Sequence, residues 1–201
     1  MIVAETNRII RHLREFRLDN RMQLFNGETQ TSETIAETIQ IDGKRIDRYI
    51  NEFWTSKQRQ SSSIHEISYR ACFKAQLPRF FIDLLSKPDD TIYDPFTGRG
   101  TTVIEAGLLG RNIISNDINP LSEILARPRF FIPSLNQTEA RLNVIGKSDN
   151  LKADIDLSMF YHPKTESEIV TLRNYLSEKK EEDDIDRWIR MVATNRLHWR
   201  S

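Results

Sequence analysis

The sequence predicts an α/β fold preceded by a helical region. The clearest sign is a β-α-β unit, in which the β-prone run 91–93 ends in Asp94, a glycine-containing loop opens an apolar helix, and the strand 112–115 leads to Asp117. A second sign is the spacing of apolar residues by three and four along the first 60 residues, which is typical of amphipathic helices. We therefore expect the α/β part to follow the helical part.

A polar linker marks the boundary between the two regions. The sequence SKQRQSSS occupies residues 56–63 and offers no apolar side chain to a core. We expect a helical region at residues 1–60, beginning with a helix over 5–25, and an α/β domain at residues 64–201. The length of 201 residues suits one medium domain or a small helical domain joined to a partial one.

Charge and cysteine content exclude several classes of protein. Lys and Arg together number 29, as do Asp and Glu, so any sign of a nucleic-acid partner must come from local patches. The single cysteine, Cys72, excludes an intramolecular disulfide and a cysteine-based zinc site. The first 16 residues hold no long apolar run, which excludes a signal peptide or membrane span there. We expect a cytoplasmic chain with no metal and no membrane partner.

A helix-turn-helix is predicted in the segment 32–54. Two short helices would flank a turn at Asp42-Gly43, although Gln40 stands where the tight turn usually has glycine. The outer side of the second helix is basic. Three of its side chains suit contacts with DNA phosphates: Lys44, Arg45 and Arg48. The alternative is a helical hairpin packed on a catalytic domain, with an ordinary solvated face.

The loop between the two predicted strands has the properties of a nucleoside-binding loop. Gly98 and Gly100 lack a Cβ atom, so the backbone can turn sharply and a ligand can approach closely. The helix that follows presents unpaired N–H groups at its N-terminus. Asp117, 23 residues after Asp94, stands where nucleotide-binding α/β folds have a carboxylate on ribose hydroxyls. These features favour an adenosine-like ligand.

Two common phosphate-binding patterns do not fit this loop. The dinucleotide fingerprint needs a third glycine where the chain has Val103, and a P-loop needs a Lys-Ser/Thr pair after the glycines. The series D-P-F-x-G-x-G-T-T, E-A, G-R and N-D-I-N-P instead resembles the cofactor motifs of amino-group DNA methyltransferases, which form N6-methyladenine or N4-methylcytosine. Many members have Cys-Gly-Ser-Gly where this chain has Thr97-Gly-Arg-Gly100.

The resemblance implies S-adenosylmethionine as cofactor, DNA as partner and a partial Rossmann-like methyltransferase fold. Asp94 and the backbone of 96–100 would meet the amino and carboxylate groups of the methionine part. Asp117 would bind the ribose hydroxyls, and Ile118 would pack on the adenine. Asn119 would precede the next helix.

An upstream series also resembles the segment that precedes this motif in such families. His65, Tyr69, Phe73-Lys74 and Pro78 stand in the expected order, and the loop around Tyr69 would close over the methionine part of the cofactor. The implied cofactor-site residues are Tyr69, Asp94, Pro95, Phe96, Gly98, Gly100, Thr101, Asp117, Ile118 and Asn119.

The catalytic motif of the family, Asp/Asn/Ser-Pro-Pro-aromatic, does not occur in the sequence, because none of the seven prolines is adjacent to another. In the family its polar residue accepts hydrogen bonds from the target amino group, and its ring stacks on the flipped base. Only two or three strands of a methyltransferase sheet are evident. We therefore predict no catalytic residue here and an inactive chain, whether a truncated fragment, a gene remnant or a half that a second polypeptide completes.

Two alternatives to site-specific DNA methylation in a restriction-modification system stay open. RNA guanine-N2 methyltransferases have a similar D-P-x-x-G-x-G-T motif with E-A after it, but they usually carry a separate RNA-binding domain in front. A non-catalytic DNA- or cofactor-binding module acting with a partner would explain the missing catalytic motif.

Overall fold

The structure is a computed structural model that describes residues 2–17, 33–53, 62–67 and 72–197. It has the mixed helix and strand content of an α/β protein, as the sequence predicts. The chain forms two compact units that alternate along the sequence. The first unit comprises Met1–Ser63, Phe73–Ile92 and Glu105–Ile113, and the second comprises Ile64–Cys72, Tyr93–Ile104 and Ile114–Ser201. The division into domains at residues 60 and 64 stays a prediction.

A β-hairpin occupies the segment in which the sequence analysis predicts a helix-turn-helix, so that prediction is wrong. Strand β1 (Ile35–Ile41) pairs antiparallel with β2 (Lys44–Ile50). Asp42 and Gly43 form the turn between them with φ angles of 49° and 74°. Both angles are left-handed, as a two-residue type I′ hairpin turn requires, and Asp-Gly is a preferred sequence for that turn.

The isoleucine spacing of the hairpin explains the wrong prediction. Ile35 lies opposite Ile50, and Ile39 lies opposite Ile46, so these four side chains share one face of the hairpin. Ile35 and Ile39 are four residues apart, as are Ile46 and Ile50, and β1 has a third isoleucine, Ile41. Four residues are close to one helical turn and are also two full strand periods, so this spacing fits either structure. The Asp-Gly turn is the feature that decides between them.

The first helix, α1 (Ile2–Glu15), is shorter than the predicted helix over 5–25. Two carbonyl groups near its end accept hydrogen bonds from side chains that flank the hairpin. Thr34 Oγ1 donates to Leu13 O at 2.7 Å, and Asn51 Nδ2 donates to Phe16 O at 3.1 Å. These bonds satisfy acceptors that a helix C-terminus leaves without an intrahelical partner.

An aromatic cluster of half-buried rings lies in the first unit. The rings of Phe16, Phe53 and Phe80 lie with their centroids 5.1 to 5.5 Å apart. Phe80 belongs to helix α2 (Gln76–Leu85). Pro78 lies in the first turn of α2, where its missing N–H would have no intrahelical acceptor in any case.

The predicted β-α-β unit is confirmed. It consists of β3 (Thr91–Asp94), α3 (Thr101–Leu108) and β4 (Asn112–Ser115). Backbone N–H groups donate from Asn112 to Asp90 O and from Asn116 to Asp94 O, both at 2.9 Å. The constant offset between donor and acceptor means that the two strands run parallel. Their carboxyl ends therefore lie side by side.

Four helices follow this unit: α4 (Leu121–Ala126), α5 (Leu135–Ile145), α6 (Pro163–Glu178) and α7 (Asp184–Leu197). The apolar core of the second unit includes Ile67, Leu125 and Met191, against which Leu121 and Trp188 pack. Residues from before the β-α-β unit and from the last helix thus meet in one core.

An ionic cluster ties α5, α6 and α7 together. Asp186 is fully buried and accepts hydrogen bonds from Arg141, Lys179 and the hydroxyl of Tyr175. Arg141 also donates to Asp183 at 2.7 Å, and this bond is the main reason that the pKa of Asp183 is lowered to about 2. The buried charge of Asp186 therefore has two cationic partners, as burial of a carboxylate requires.

Candidate cofactor site

The carboxyl ends of β3 and β4 are linked through Thr97. Its backbone N–H and its hydroxyl both donate to the carbonyl oxygen of Asn116, at 3.1 and 3.0 Å. Thr97 is buried. Many of the methyltransferases that the sequence resembles have cysteine at this position, and threonine supplies a hydroxyl donor that here joins the loop after β3 to the end of β4.

The glycine-containing loop is a tight turn. The N–H of Gly100 donates to Thr97 O at 2.7 Å, which closes a four-residue turn. Gly98 has a φ of 51°, a left-handed value, and it is the first central residue of this turn. A turn whose first central residue has positive φ favours glycine there, because glycine has no Cβ to strain.

Gly100 is required by packing as well as by its backbone angle. Its φ is 86°, and a Cβ built on it would lie 2.8 Å from the Cβ of Ala126 and 3.0 Å from Nη2 of Arg129. The sequence predicts close approach of a ligand at the glycines. At Gly100 the structure shows close approach of the end of α4 and the turn after it.

Asp117 joins the end of β4 to the glycine loop. One carboxylate oxygen accepts the N–H of Gly98 at 2.7 Å, and the other accepts the N–H of Asn119 at 2.8 Å. The hydrogen bond from Asn119 and then that from Gly98 lower the pKa of Asp117 below its usual value. The carboxylate is therefore ionised at neutral pH and holds Gly98 in its turn. Each oxygen keeps a second lone pair that can accept a ligand hydroxyl.

Asp94 and Phe96 form the other side of the loop. The carboxylate of Asp94, which is half-buried, accepts the N–H of Phe96 at 3.0 Å. The ring of Phe96 is 86% exposed, and Ile118, which follows Asp117, is fully exposed. Pro95 is exposed between Asp94 and Phe96. The site thus combines two carboxylates with two exposed apolar side chains, one beside each.

The helices that begin at the site start as the sequence predicts. Thr101 is the first residue of α3, is buried, and accepts a hydrogen bond from Nε of Arg99 through its hydroxyl. Asn119 Oδ1 accepts the N–H of Leu121, the first residue of α4, at 3.0 Å, and Pro120 already has helical backbone angles. Tyr69, the remaining predicted cofactor residue, lies outside the described residues.

Two arginines at this site are not predicted from the sequence. Nη1 of Arg99 donates to Ile67 O at 3.1 Å, and the guanidinium of Arg129 donates to Arg99 O. Both bonds go to backbone carbonyl groups, which any residue provides. No pattern of residue types therefore signals them.

The three predicted DNA-binding residues lie on β2 rather than on a recognition helix. Lys44 and Arg48 share one face of the hairpin, and Arg45 lies on the opposite face. All three are exposed, and Arg48 forms an ion pair with Glu37 on β1. Lys44 and Arg45 are therefore sequence neighbours beside the turn, with their side chains on opposite faces of the hairpin.

Comparison with known protein families shows the family to which the chain belongs. Residues 13–125, which include the hairpin and the whole β-α-β unit, match the model of the DNA methylase family of N6 and N4 methyltransferases. The chain belongs to the amino-group DNA methylases. The resemblance that the sequence analysis drew from residues 91–126 is thereby confirmed.

Individual DNA methylases match shorter parts of the chain. Type II methyltransferase M.BsoBI of Geobacillus stearothermophilus is 43% identical over 83 residues, which cover 40% of this chain and 16% of that protein. M.MvaI of Kocuria varians is 38% identical over 64 residues, covering 30% and 14%. M.PvuII of Proteus hauseri is 36% identical over 78 residues, covering 39% and 23%. The chain thus spans less than a quarter of the length of these relatives. No solved structure matches it.

In the part of the chain that the structure describes, no helix has the length and apolar character needed to cross a membrane.

Proposed function

We propose that this chain is the S-adenosylmethionine-binding part of a site-specific DNA methyltransferase that modifies adenine N6 or cytosine N4. The observation that carries the proposal is the hydrogen bond between Gly98 and Asp117. It unites the glycine loop and the acidic residue of the family motif in one site. The cofactor, when bound, supplies an activated methyl group on a sulfonium centre. We propose a cytoplasmic location and a Rossmann-like sheet that starts from β3 and β4.

The residues of the site fit the parts of this cofactor. Its ribose offers two hydroxyl donors, and Asp117 is an ionised acceptor with lone pairs to spare. Its methionine carboxylate suits the first turn of α3, where N–H groups lack intrahelical partners. Its amino group is a cation, for which Asp94 is a half-buried carboxylate partner. The exposed ring of Phe96 and the exposed side chain of Ile118 offer apolar surface for the adenine.

The chain itself is expected to bind the cofactor but not to transfer the methyl group. The family reaction needs a group that accepts hydrogen bonds from the target amine and a ring that holds the flipped base. The sequence contains no Pro-Pro pair that could supply them. We propose that a further part of the protein or a second polypeptide provides this motif.

Radiolabelled S-adenosylmethionine tests both statements in one experiment. We expect the full chain to retain the label, S-adenosylhomocysteine to displace it, and NAD to leave it in place. We also expect no label in DNA above the level of a Gly98→Trp control. Transfer of label to DNA above that control would contradict the absence of catalytic residues. Failure to retain any label would contradict the proposed cofactor.

DNA contact through the hairpin is a separate part of the proposal. Lys44 and Arg45 are exposed next to the turn, where two cations can reach phosphates. Arg48 forms an ion pair with Glu37, so its contribution to DNA binding is expected to be smaller than that of Lys44 or Arg45. The hairpin replaces the predicted recognition helix as the element that presents these side chains.

The salt dependence of DNA binding tests this role. Replacing both Lys44 and Arg45 with glutamine is expected to weaken binding and to flatten the slope of log K against log salt by roughly 0.9 for each phosphate that the protein no longer neutralises. The matched control replaces Lys147 and Lys152, two exposed lysines of the second unit, with glutamine. An equal change of slope in both double variants would show that the hairpin is not part of the DNA interface.

The two alternatives predict different results from the same experiments. An RNA guanine-N2 methyltransferase fragment would bind structured RNA in preference to duplex DNA. A non-catalytic module would bind DNA or cofactor as proposed here, yet addition of the partner that carries the catalytic motif would not produce methyl transfer. The match to the DNA methylase family favours DNA as the substrate.

A further inference from the structure

Arg129 is a buried cation whose described partners are all backbone carbonyl groups. It is 3% exposed, and its guanidinium donates to Leu125 O at 2.8 Å, to Ile64 O at 3.1 Å and to Arg99 O. Burial and, less strongly, the nearby charge of Arg99 lower the pKa of Arg129 below its usual value. Removing a charge from water without a carboxylate partner is costly, so these three bonds must hold the cation in place.

The three carbonyl groups belong to three different parts of the site. Leu125 is in α4, Arg99 is the second central residue of the glycine turn, and Ile64 begins the segment 64–67 that precedes Tyr69 in the sequence. Arg129 thus connects the glycine turn (residues 97–100) with the segment that leads to Tyr69. A guanidinium can do this because it has five N–H donors in a fixed planar arrangement.

Arg99 makes a second connection between the same two parts. Its Nη1 donates to Ile67 O at 3.1 Å, while Arg129 holds the other end of that segment at Ile64. Many family members have serine at the position of Arg99. A serine side chain is too short to reach from the turn to the carbonyl oxygen of Ile67. The departure from the family motif therefore has a structural role here.

We propose that Arg129 is a positioning residue for the cofactor site. It fixes the carbonyl of Arg99, and with it the turn that presents Gly98 to Asp117, and together with Arg99 it holds the segment 64–67 against that turn. The proposal rests on the proposed function, since it assigns the turn and the segment before Tyr69 to one cofactor site. A substitution at Arg129 should then loosen these two segments before it loosens the rest of the fold.

Amide hydrogen exchange on the full chain without ligand tests the positioning role. In Arg129→Lys, whose single ammonium cannot reach three carbonyls, we expect exchange at Ile67, Thr97, Gly98 and Gly100 to be at least tenfold faster. These N–H groups are hydrogen-bonded in the structure and are therefore protected. Exchange in α5, α6 and α7 should stay unchanged.

Arg127→Lys is the matched control, because Arg127 lies in the same short turn of helix as Arg129 but is half-exposed and pairs with Glu123. It should change exchange in neither segment. If Arg129→Lys fails to fold, Arg99→Met serves as the second variant, and we expect faster exchange at Ile67 and a normal fold.

The affinity for S-adenosylhomocysteine provides the second readout. Arg129→Lys should bind at least tenfold more weakly at a temperature at which it remains folded, whereas Arg127→Lys should bind as the wild type does. A uniform rise in exchange across the second unit, or no local rise in either variant, would overturn the positioning role. If the wild type itself does not bind, the proposed cofactor is wrong, and the exchange comparison still decides the role of Arg129.

Discussion

Replacing Gly100 with alanine is expected to destabilise the second unit by roughly 2–5 kcal/mol, of which a left-handed backbone angle contributes about 1–2 and overpacking about 1–3. The backbone part follows from the φ of 86°. The packing part follows from the 2.8 Å separation between the added Cβ and the Cβ of Ala126. Ala126 is buried at the end of α4, so it cannot move aside without disturbing the core.

Gly110→Ala is the matched control for this substitution. Gly110 has a φ of 73°, similar to that of Gly100, but an added Cβ would meet no atom within 4 Å. It should therefore lose only the backbone part, about 1–2 kcal/mol. Denaturant unfolding measures both variants. Equal losses of stability in the two variants would show that the close approach of Gly100 to Ala126 does not matter.

The β-α-β unit could be predicted from the sequence because short-range features determine it. The run 91–93 is β-prone, Gly98 and Gly100 require a turn, and Gly110 ends the helix with a left-handed residue. Each feature acts within a few residues of its own position. Both strands and the helix between them therefore lie where the sequence predicts them.

The helix-turn-helix prediction is wrong because the apolar spacing of the hairpin is compatible with two structures. Isoleucines four apart satisfy both the helical and the strand period, and periodicity alone does not choose between them. The Asp42-Gly43 pair is predicted correctly as a turn, but between helices rather than strands. Its two left-handed residues match the type I′ turn that joins adjacent antiparallel strands, and that preference is the signal that could correct the prediction.

The long-range contacts of the candidate site could not be predicted. Arg129 donates to carbonyl groups 30 and 65 residues away, and Arg141 reaches Asp186 across 45 residues. Every residue type has the same backbone carbonyl acceptor, so the sequence does not indicate which carbonyl is used. A lone arginine near the end of a helix belongs to no recognisable sequence motif. Such contacts become visible only when the fold brings the segments together.

Replacing Asp117 with alanine is the prediction with the largest expected effect on binding. It removes the acceptor for the ribose hydroxyls, and hydrogen bonds to a charged acceptor are stronger than those to a neutral one. Their removal corresponds to a loss of affinity on the order of tenfold to hundredfold. The substitution also leaves the N–H of Gly98 without its acceptor, so the turn loses its connection to β4.

Asp156→Ala is the matched control for the loss of a loop carboxylate. Asp156 also accepts the N–H of the residue two positions later, Ser158, at 2.9 Å, and its pKa is lowered chiefly by that bond. It lies in a loop of the same unit, outside the β-α-β segment. Its replacement should leave the affinity for S-adenosylhomocysteine unchanged.

Calorimetric titration of the full chain with S-adenosylhomocysteine is the measurement that tests the cofactor site most directly. We expect the wild type and Asp156→Ala to bind with the same affinity, and Asp117→Ala to bind at least tenfold more weakly while its unfolding transition stays cooperative. If the wild type binds and Asp117→Ala binds equally well, the cofactor does not lie between the glycine turn and the end of β4.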